Sequence, residues 1–332
     1  MLLLIALAVS FCINISLGSV SIPLKETLFS IFGNTIKNES WEYIIWNYRL
    51  PKAFTAILVG GGLSLSGLLM QTLFRNPLAG PFVLGISSGA SLGAALLIMG
   101  SSLFAGVFAF SFINDIGIVI ASSIGSFLVL LVVITIAIKV KDTMALLIIG
   151  LMFGSITSAI VSVLSYFTSA EQLQRYMYWS FGSVGDLSWF QVGLLFTIVF
   201  IGILLSILSI KALNSFLLGE NYAQSLGINI KKSRYIIIIA TGLIAGGITA
   251  FAGPIAFVGL AVPHLTRQLF NTTNHKILVP AVLIYGAILL LLCDIVAQIP
   301  NSASIIPINA ITSIIGAPIV IWLLIKKRKM VF

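Results

Sequence analysis

The sequence predicts an all-α integral membrane protein of about ten transmembrane helices, and three observations carry that prediction. Hydrophobic residues make up 59% of the 332 and charged residues only 8%, too few to cover a globule with a polar surface. The apolar residues fall in continuous runs, at about 2–20, 53–73, 82–100, 117–138, 144–168, 189–210, 235–252, 257–266, 278–299 and 308–325. Each helical span needs roughly 20 apolar residues, and backbone groups in hydrocarbon must bond internally, so unbroken runs mean helices rather than the alternating strands of a barrel. The basic residues are distributed unevenly. With the N-terminus inside, thirteen of the eighteen fall on inner segments and only Lys25, Lys37, Arg49, Lys52 and Arg175 on outer ones, as expected where Lys and Arg collect on the cytoplasmic side.

The first run, within residues 1–19, ends in Leu17, Gly18 and Ser19 like a signal peptide but has no basic residues before it, and reads as a retained first span. An outer segment follows, with Trp41, Tyr43, Trp46 and Tyr48 suited to the membrane interface. Pro51 starts the second helix, and Arg49 and Lys52 stand at its outer mouth, either as snorkelling anchors or as a docking point for an acidic partner. Gly60, Gly61, Gly62, Ser64, Ser66 and Gly67 in this span allow close approach of a neighbouring helix. Pro77, Pro81 and the Gly/Ser-rich stretch 84–93 predict broken or tightly packed helix at the inner side. Lys139 to Thr143 make a tight inner turn. The fifth span then presents Gly150, Gly154, Ser158 and Ser162 at intervals of four, a stripe that serves either helix packing or the wall of a solute path.

The outer loop 169–179 reads as an interfacial amphipathic piece rich in aromatics. Ala79, Gly80 and Pro81 are echoed by Ala252, Gly253 and Pro254, each set followed by a glycine, at Gly85 and Gly259. Five spans separate the two, which puts them on opposite faces and fits an inverted repeat. The run 257–266 is too short to cross alone and should be a partial or tilted helix descending to Arg267 and Lys276. Cys12 and Cys293 read as small hydrophobes, and His264 and His275 lack the carboxylate or thiol companions of a metal site. Asp294, near the outer end of the ninth span, is a functional candidate by default. Arg49 or Lys52 is its available partner, and a structural pair suits it better than a proton relay because no second buried acid accompanies it.

Between the sixth and seventh runs lies a polar island, residues 218–232. Gly219 and Gly227 bracket seven residues able to form two short turns of helix, with Tyr222 and Leu226 four apart on one face. That face could dock into a groove, or the island is a loop that joins two spans.

The stretch 49–95 resembles the signature of the FecCD-type permeases, the membrane subunits of ABC importers for iron-siderophores, haem and cobalamin. Later stretches agree in order: Met177, Tyr178 and Trp179 with Gly182, the island, residues 252–264, and Gly316, Ala317 and Pro318. The resemblance implies a type II ABC importer permease architecture, a single transmembrane permease domain over 1–332 in the bacterial inner membrane with both termini cytoplasmic, and a homodimer with the path on its two-fold axis. It implies that Gly219, Glu220, Tyr222, Ala223, Ser225, Leu226 and Gly227, within the coupling segment 218–232, meet one of two ABC ATPase subunits. It places Asp142 and Thr143 in a cytoplasmic gate, and Gly150, Gly154, Ser158 and Ser162 on the translocation path. Arg49, Lys52 and Gln298 would face a periplasmic or lipid-anchored substrate-binding protein. Gln298 stands where an outer Arg is expected in the cobalamin branch, and residues 305–309 replace a Glu-Leu-Pro-Val-Gly, which weakens the docking charge and a cobalamin assignment.

The chain has no Gly-x-x-x-x-Gly-Lys-Ser/Thr loop, so ATP and its magnesium belong to a partner ATPase and no cofactor is expected on this chain. The net charge of +9 reads as topology and contact with anionic membrane lipid, with no separate sign of nucleic-acid binding. An ion-gradient-driven secondary transporter should carry several buried ionisable groups, whereas Asp294 stands nearly alone. A membrane-embedded enzyme would need a nucleophile with a base at one depth, and none is found.

Overall fold

A computed structural model describes residues 1–18, 20, 22–32, 38–100, 115–140, 143–298 and 306–325, and every regular element among them is helical. In chain order these are α1 (Leu2–Ser16), α2 (Leu24–Ile31), α3 (Glu39–Ile44), α4 (Leu50–Leu73), α5 (Ile86–Ile98), α6 (Asp115–Lys139), α7 (Thr143–Phe167), α8 (Ala170–Ser180), α9 (Trp189–Leu208), α10 (Ile210–Phe216), α11 (Glu220–Ser225), α12 (Ile230–Ala252), α13 (Val258–Phe270), α14 (His275–Ala297) and α15 (Ile308–Ile325). A π-helical turn, Ile45–Arg49, joins α3 to α4 without a break, and a 3-10 turn, Pro81–Leu84, precedes α5.

Six of these helices are long and apolar enough to cross a membrane: Glu39–Leu73, Asp115–Ala137, Met144–Phe167, Trp189–Leu208, Ile230–Ala252 and His275–Ala297. The expectation of about ten spanning helices is therefore not met by length among the described residues. Leu2–Ser16, Ile86–Ile98 and Ile308–Trp322 are apolar but shorter, and α13, the piece expected to be partial, has 13 residues with Pro263 inside it. The shortening has a local cause. Gly85 turns left-handed at φ 72°, so α5 starts only at Ile86, and the chain between Gly253 and Phe257 is non-helical before α13 begins.

Polar side chains fix the starts of several helices. Asn38, Ser169, Ser188, Asn229 and Asn274 each accept a hydrogen bond from an otherwise unsatisfied amide in the first turn, and Ser188 with Gln191 forms a reciprocal capping box. The expected amphipathic piece at 169–179 is α8, capped by Ser169, with Tyr176 stacked on Trp179 at 6.1 Å.

The centre of the molecule is α4. Of its most apolar 18-residue window 83% is buried, against 22% for α7 and 28% for α9, so α4 is the core and α7 and α9 are the periphery. It packs against α14, α12, α13 and α9. Lipid supplies no hydrophobic force to press helices together, so dense packing through small residues takes that role. A Cβ on Gly60 would lie 2.3 Å from the carbonyl oxygen of Gly286 in α14, and one on Gly67 only 1.7 Å from that of Gly259 in α13. A second seam joins α5 to α6, where Gly89 faces the Gly125 carbonyl and Gly93 the Ala121 carbonyl.

Gly67→Ala is expected to destabilise the protein by roughly 3 kcal/mol, the upper end of an overpacking cost, because the obstacle is backbone. Gly193→Ala, with nothing within 4 Å of the added methyl, should stay within about 0.5 kcal/mol of wild type. Thermal unfolding of the detergent-purified proteins checks both, and equal melting points for the two variants would remove the close approach as the organising contact.

Candidate coupling site and outer mouth

At the end of α9 the chain stays helical through α10, whose Leu213 and Phe216 are buried. A hydrogen-bonded turn follows, and Gly219 at φ 106° reverses the chain into α11. Only glycine takes that dihedral without strain, and Gly227 at φ 79° ends the element in the same way. The six-residue helix presents Tyr222 (49% exposed) and Leu226 (51%) outward and buries Ala223 completely. The Glu220 carboxylate sits in the first turn, where the helix dipole favours it, and accepts a 2.7 Å bond from the Arg234 guanidinium in α12. Half of this pair is exposed, so it adds about 1 kcal/mol at most, but it fixes how α11 sits on α12. In the sequence reading Arg234 counted only as one of the thirteen inner cations, with no role beside α11. Its signal was available, as a third cation just after Lys231 and Lys232 on the side of the helix that returns to Glu220.

The stripe on α7 divides. Gly150 is buried against the 3-10 turn, where its Cβ would meet the Val83 carbonyl at 1.8 Å, and Gly154 faces Ser88 Oγ. Ser158 and Ser162 are exposed, with Ser162 Oγ donating to the Ser158 carbonyl at 2.8 Å. Each step of four residues rotates about 40° around a helix, so Ser162 lies about 120° from Gly150 and faces a different neighbour. Of the two gate residues, Asp142 lies outside the described residues and Thr143 is the first residue of α7.

At the opposite end a cavity of about 950 Å³ is lined by Tyr48, Arg49, Lys52, Tyr178, Asp294 and Gln298, among others. Arg49 is only 7% exposed. Its guanidinium donates to the carbonyls of Ile15 and Ser16, at 2.7 Å each, and of Val20, closing off carbonyls at the end of α1 that have no partner within the helix. Lys52 Nζ pairs with Asp294 Oδ1 at 3.0 Å. Asp294 Oδ2 accepts from Asn14 Nδ2 at 2.8 Å and from Gln298 Nε2 at 2.7 Å. The carboxylate thus ties α1, α4 and the end of α14 together. Its partner is Lys52, one of the two cations the sequence offered, while Asn14 was missed because nothing marks a lone Asn at the end of an apolar run.

Asp294→Asn should lower stability by roughly 2–4 kcal/mol, since it leaves the Lys52 ammonium at a largely buried site without a counter-charge; Lys52→Met combined with Asp294→Leu should recover much of that loss. Thermal unfolding in detergent measures it, and additive losses in the double variant would show that the two charges are uncoupled.

Comparison with known proteins places this geometry. The profile of the FecCD transport family matches residues 5–326. The vitamin B12 import system permease protein BtuC of Salmonella paratyphi A is 36% identical over 289 residues, covering 87% of this chain and 85% of that one, and the protein of the same name from Salmonella typhi matches to the same extent. Among solved structures, an inward-facing conformation assigned to a metal-chelate type ABC transporter superposes with a TM-score of 0.84 at 29% identity, over 98% of this chain and 97% of the other. A multi-pass helical chain, matched by one family profile over almost its whole length, belongs to the FecCD transport family of ABC importer permeases.

Proposed function

We propose that the chain is the transmembrane subunit that moves a bulky metal chelate, haem or corrinoid across the bacterial inner membrane, driven by ATP hydrolysed on two separate ABC ATPase subunits. The observation that carries this reading is α11, a short helix bounded by the turns at Gly219 and Gly227, fixed to α12 through Glu220 and Arg234, and offering Tyr222 and Leu226 to a partner. A groove on an ATPase that grips this face would move α12 with it. The names of the relatives, a vitamin B12 permease and a metal-chelate transporter, support a large polar cargo, and the iron-siderophore and haem classes remain within the same size range. The chain itself binds no cofactor, and ATP with its magnesium belongs to the ATPase.

Topology follows the charge. Arg75, Lys211, Lys231, Lys232, Arg234 and Lys276 lie on the segments around α11, which supports a cytoplasmic inner end and cytoplasmic termini. A periplasmic or lipid-anchored substrate-binding protein would dock over the outer mouth, where Arg49, Lys52 and Gln298 form part of the wall. The exposed face of α7 suits a homodimer of inverted-repeat, type II importer subunits, with Ser158 and Ser162 toward the path and Asp142 and Thr143 at its inner gate.

The rival reading, a secondary transporter driven by an ion gradient, is disfavoured by one contact. Among the described residues Asp294 is the only buried carboxylate, and Lys52 already neutralises it.

The test is reconstitution with the partner ATPase and binding protein, offering cobalamin, haem and a ferric siderophore one at a time. Uptake of one of them should require ATP. Glu220→Lys, which sets two cations against each other, and Tyr222→Asp should each lower it at least tenfold while membrane insertion stays normal. Uptake that continues without ATPase and ATP would overturn the assignment in favour of the gradient-driven carrier.

A further inference from the structure

The inner end of α4 carries two adjacent polar side chains, Gln71 and Thr72, both fully buried. Gln71 reaches α13, donating to the Leu260 carbonyl at 3.1 Å and accepting from Arg267 Nη1 at 2.8 Å. Thr72 reaches α14, with its hydroxyl 2.8 Å from His275 Nε2. The other ring nitrogen of His275 lies 2.8 Å from Asn214 Oδ1, which also accepts from the His275 backbone amide at 2.9 Å. Asn214 Nδ2 donates to Asn274 Oδ1, the cap of α14, at 3.2 Å. In the neutral ring Nδ1–H donates to Asn214 and Nε2 accepts from the Thr72 hydroxyl, whose other acceptor, the Leu68 carbonyl in α4, lies at 3.0 Å, so one line of hydrogen bonds runs from α10 through the first turn of α14 to the last turn of α4.

Asn214 is six residues before Glu220, and the intervening turn is hydrogen-bonded, Leu218 N to Ser215 O and Gly219 N to Phe216 O. A cavity of about 470 Å³, lined by Leu73, Arg75 and residues 218–222, separates α11 from the end of α4. Motion at α11 can reach α4 through α12, to which Glu220 and Arg234 tie it and which packs on α4, and through α10, whose polar attachment is Asn214.

We propose that Asn214, His275 and Thr72 are positioning residues that transmit displacement of the coupling helix to α4 and α14, making the inner ends of α10, α14 and α4 move as one body. The proposal rests on the reading of α11 as the ATPase contact. A line of hydrogen bonds that is buried at Thr72 and His275 and half-buried at Asn214 suits this role because it is directional: sliding α4 against α14 leaves the Thr72 hydroxyl or the His275 ring short of a partner at buried positions. The apolar contacts of Leu213 and Phe216 in the same helix resist separation but tolerate sliding.

The experiment uses the full complex of permease and ATPase in lipid nanodiscs, in a background with Cys12→Ala and Cys293→Ala. Spin labels are placed at Gln224→Cys on α11 and Tyr48→Cys, exposed on the helix continuous with α4, and their spectra are recorded before and after trapping ATP with vanadate. In the parent background both labels should respond. With Thr72→Val, which keeps the shape and removes the hydroxyl, the label at 224 should still respond while the response at 48 falls at least fivefold, and Asn214→Leu should do the same. Thr72→Ser, which restores the hydroxyl, should recover it. Undiminished response at 48 in Thr72→Val or Asn214→Leu overturns the relay and leaves the coupling reading intact. Failure of the parent label at 224 to sense nucleotide overturns the coupling reading, and the relay with it.

Discussion

The contacts between the spanning helices are made in a solvent that neither pushes apolar surfaces together nor satisfies a stray polar group. Helices can then hold one another only by near-contact of backbones or by polar groups that find partners inside the bundle. Both devices converge on α4. Its Gly60 and Gly67 bring it against α14 and α13 closely enough that a methyl group would collide with a carbonyl, and its Lys52, Gln71 and Thr72 complete the polar contacts of the same two neighbours. The remaining helices are arranged around this core, and the peripheral α7 and α9 keep exposed apolar faces for lipid or other chains.

The two ends of α4 are fastened by different chemistry. The outer end is closed by full charges, Lys52 on Asp294 and Arg49 over the last carbonyls of α1. Toward α10 and α14 the inner end is held by a hydroxyl, an imidazole and an amide. Separating opposite charges costs more than rearranging neutral hydrogen bonds, so the contacts of α4 with α10 and α14 at the inner end are easier to rearrange than the Lys52–Asp294 pair, while Arg267 on Gln71 holds α13. That asymmetry matches a machine whose driving force is applied at the inner face.

Much of the architecture was legible from composition: apolar runs gave helices, paired glycines gave the tight crossings of α4, and the glycine-bounded island gave a short helix with Tyr222 and Leu226 exposed. What was hidden followed from distance along the chain or from helical phase. Asn14 and Asp294 are 280 residues apart and His275 and Asn214 61, so no local pattern announces either pair. The stripe of Gly150, Gly154, Ser158 and Ser162 looked like one surface because a spacing of four nearly closes a turn, yet the residual rotation accumulates and splits it between packing and exposure. Arg49 looked like an open cation at the mouth, whereas the π turn that carries it directs it to the end of α1. Length confirms six of the expected spans among the described residues, because hydropathy registers an apolar stretch such as 82–100 without showing that Gly85 delays the start of its helix.

The two partners of the Gln71 side chain lie 189 and 196 residues further along the chain. At a ribosomal pace of about 5–20 residues per second, α4 waits on the order of 10–40 s in the bilayer before either partner is synthesised. During that interval the Gln71 amide faces hydrocarbon, a translocon wall or an insertion chaperone, whereas the Thr72 hydroxyl already has the Leu68 carbonyl of its own helix at 3.0 Å. The last third of the chain must therefore arrive before the polar inner end of a helix that entered the membrane early finds its partners.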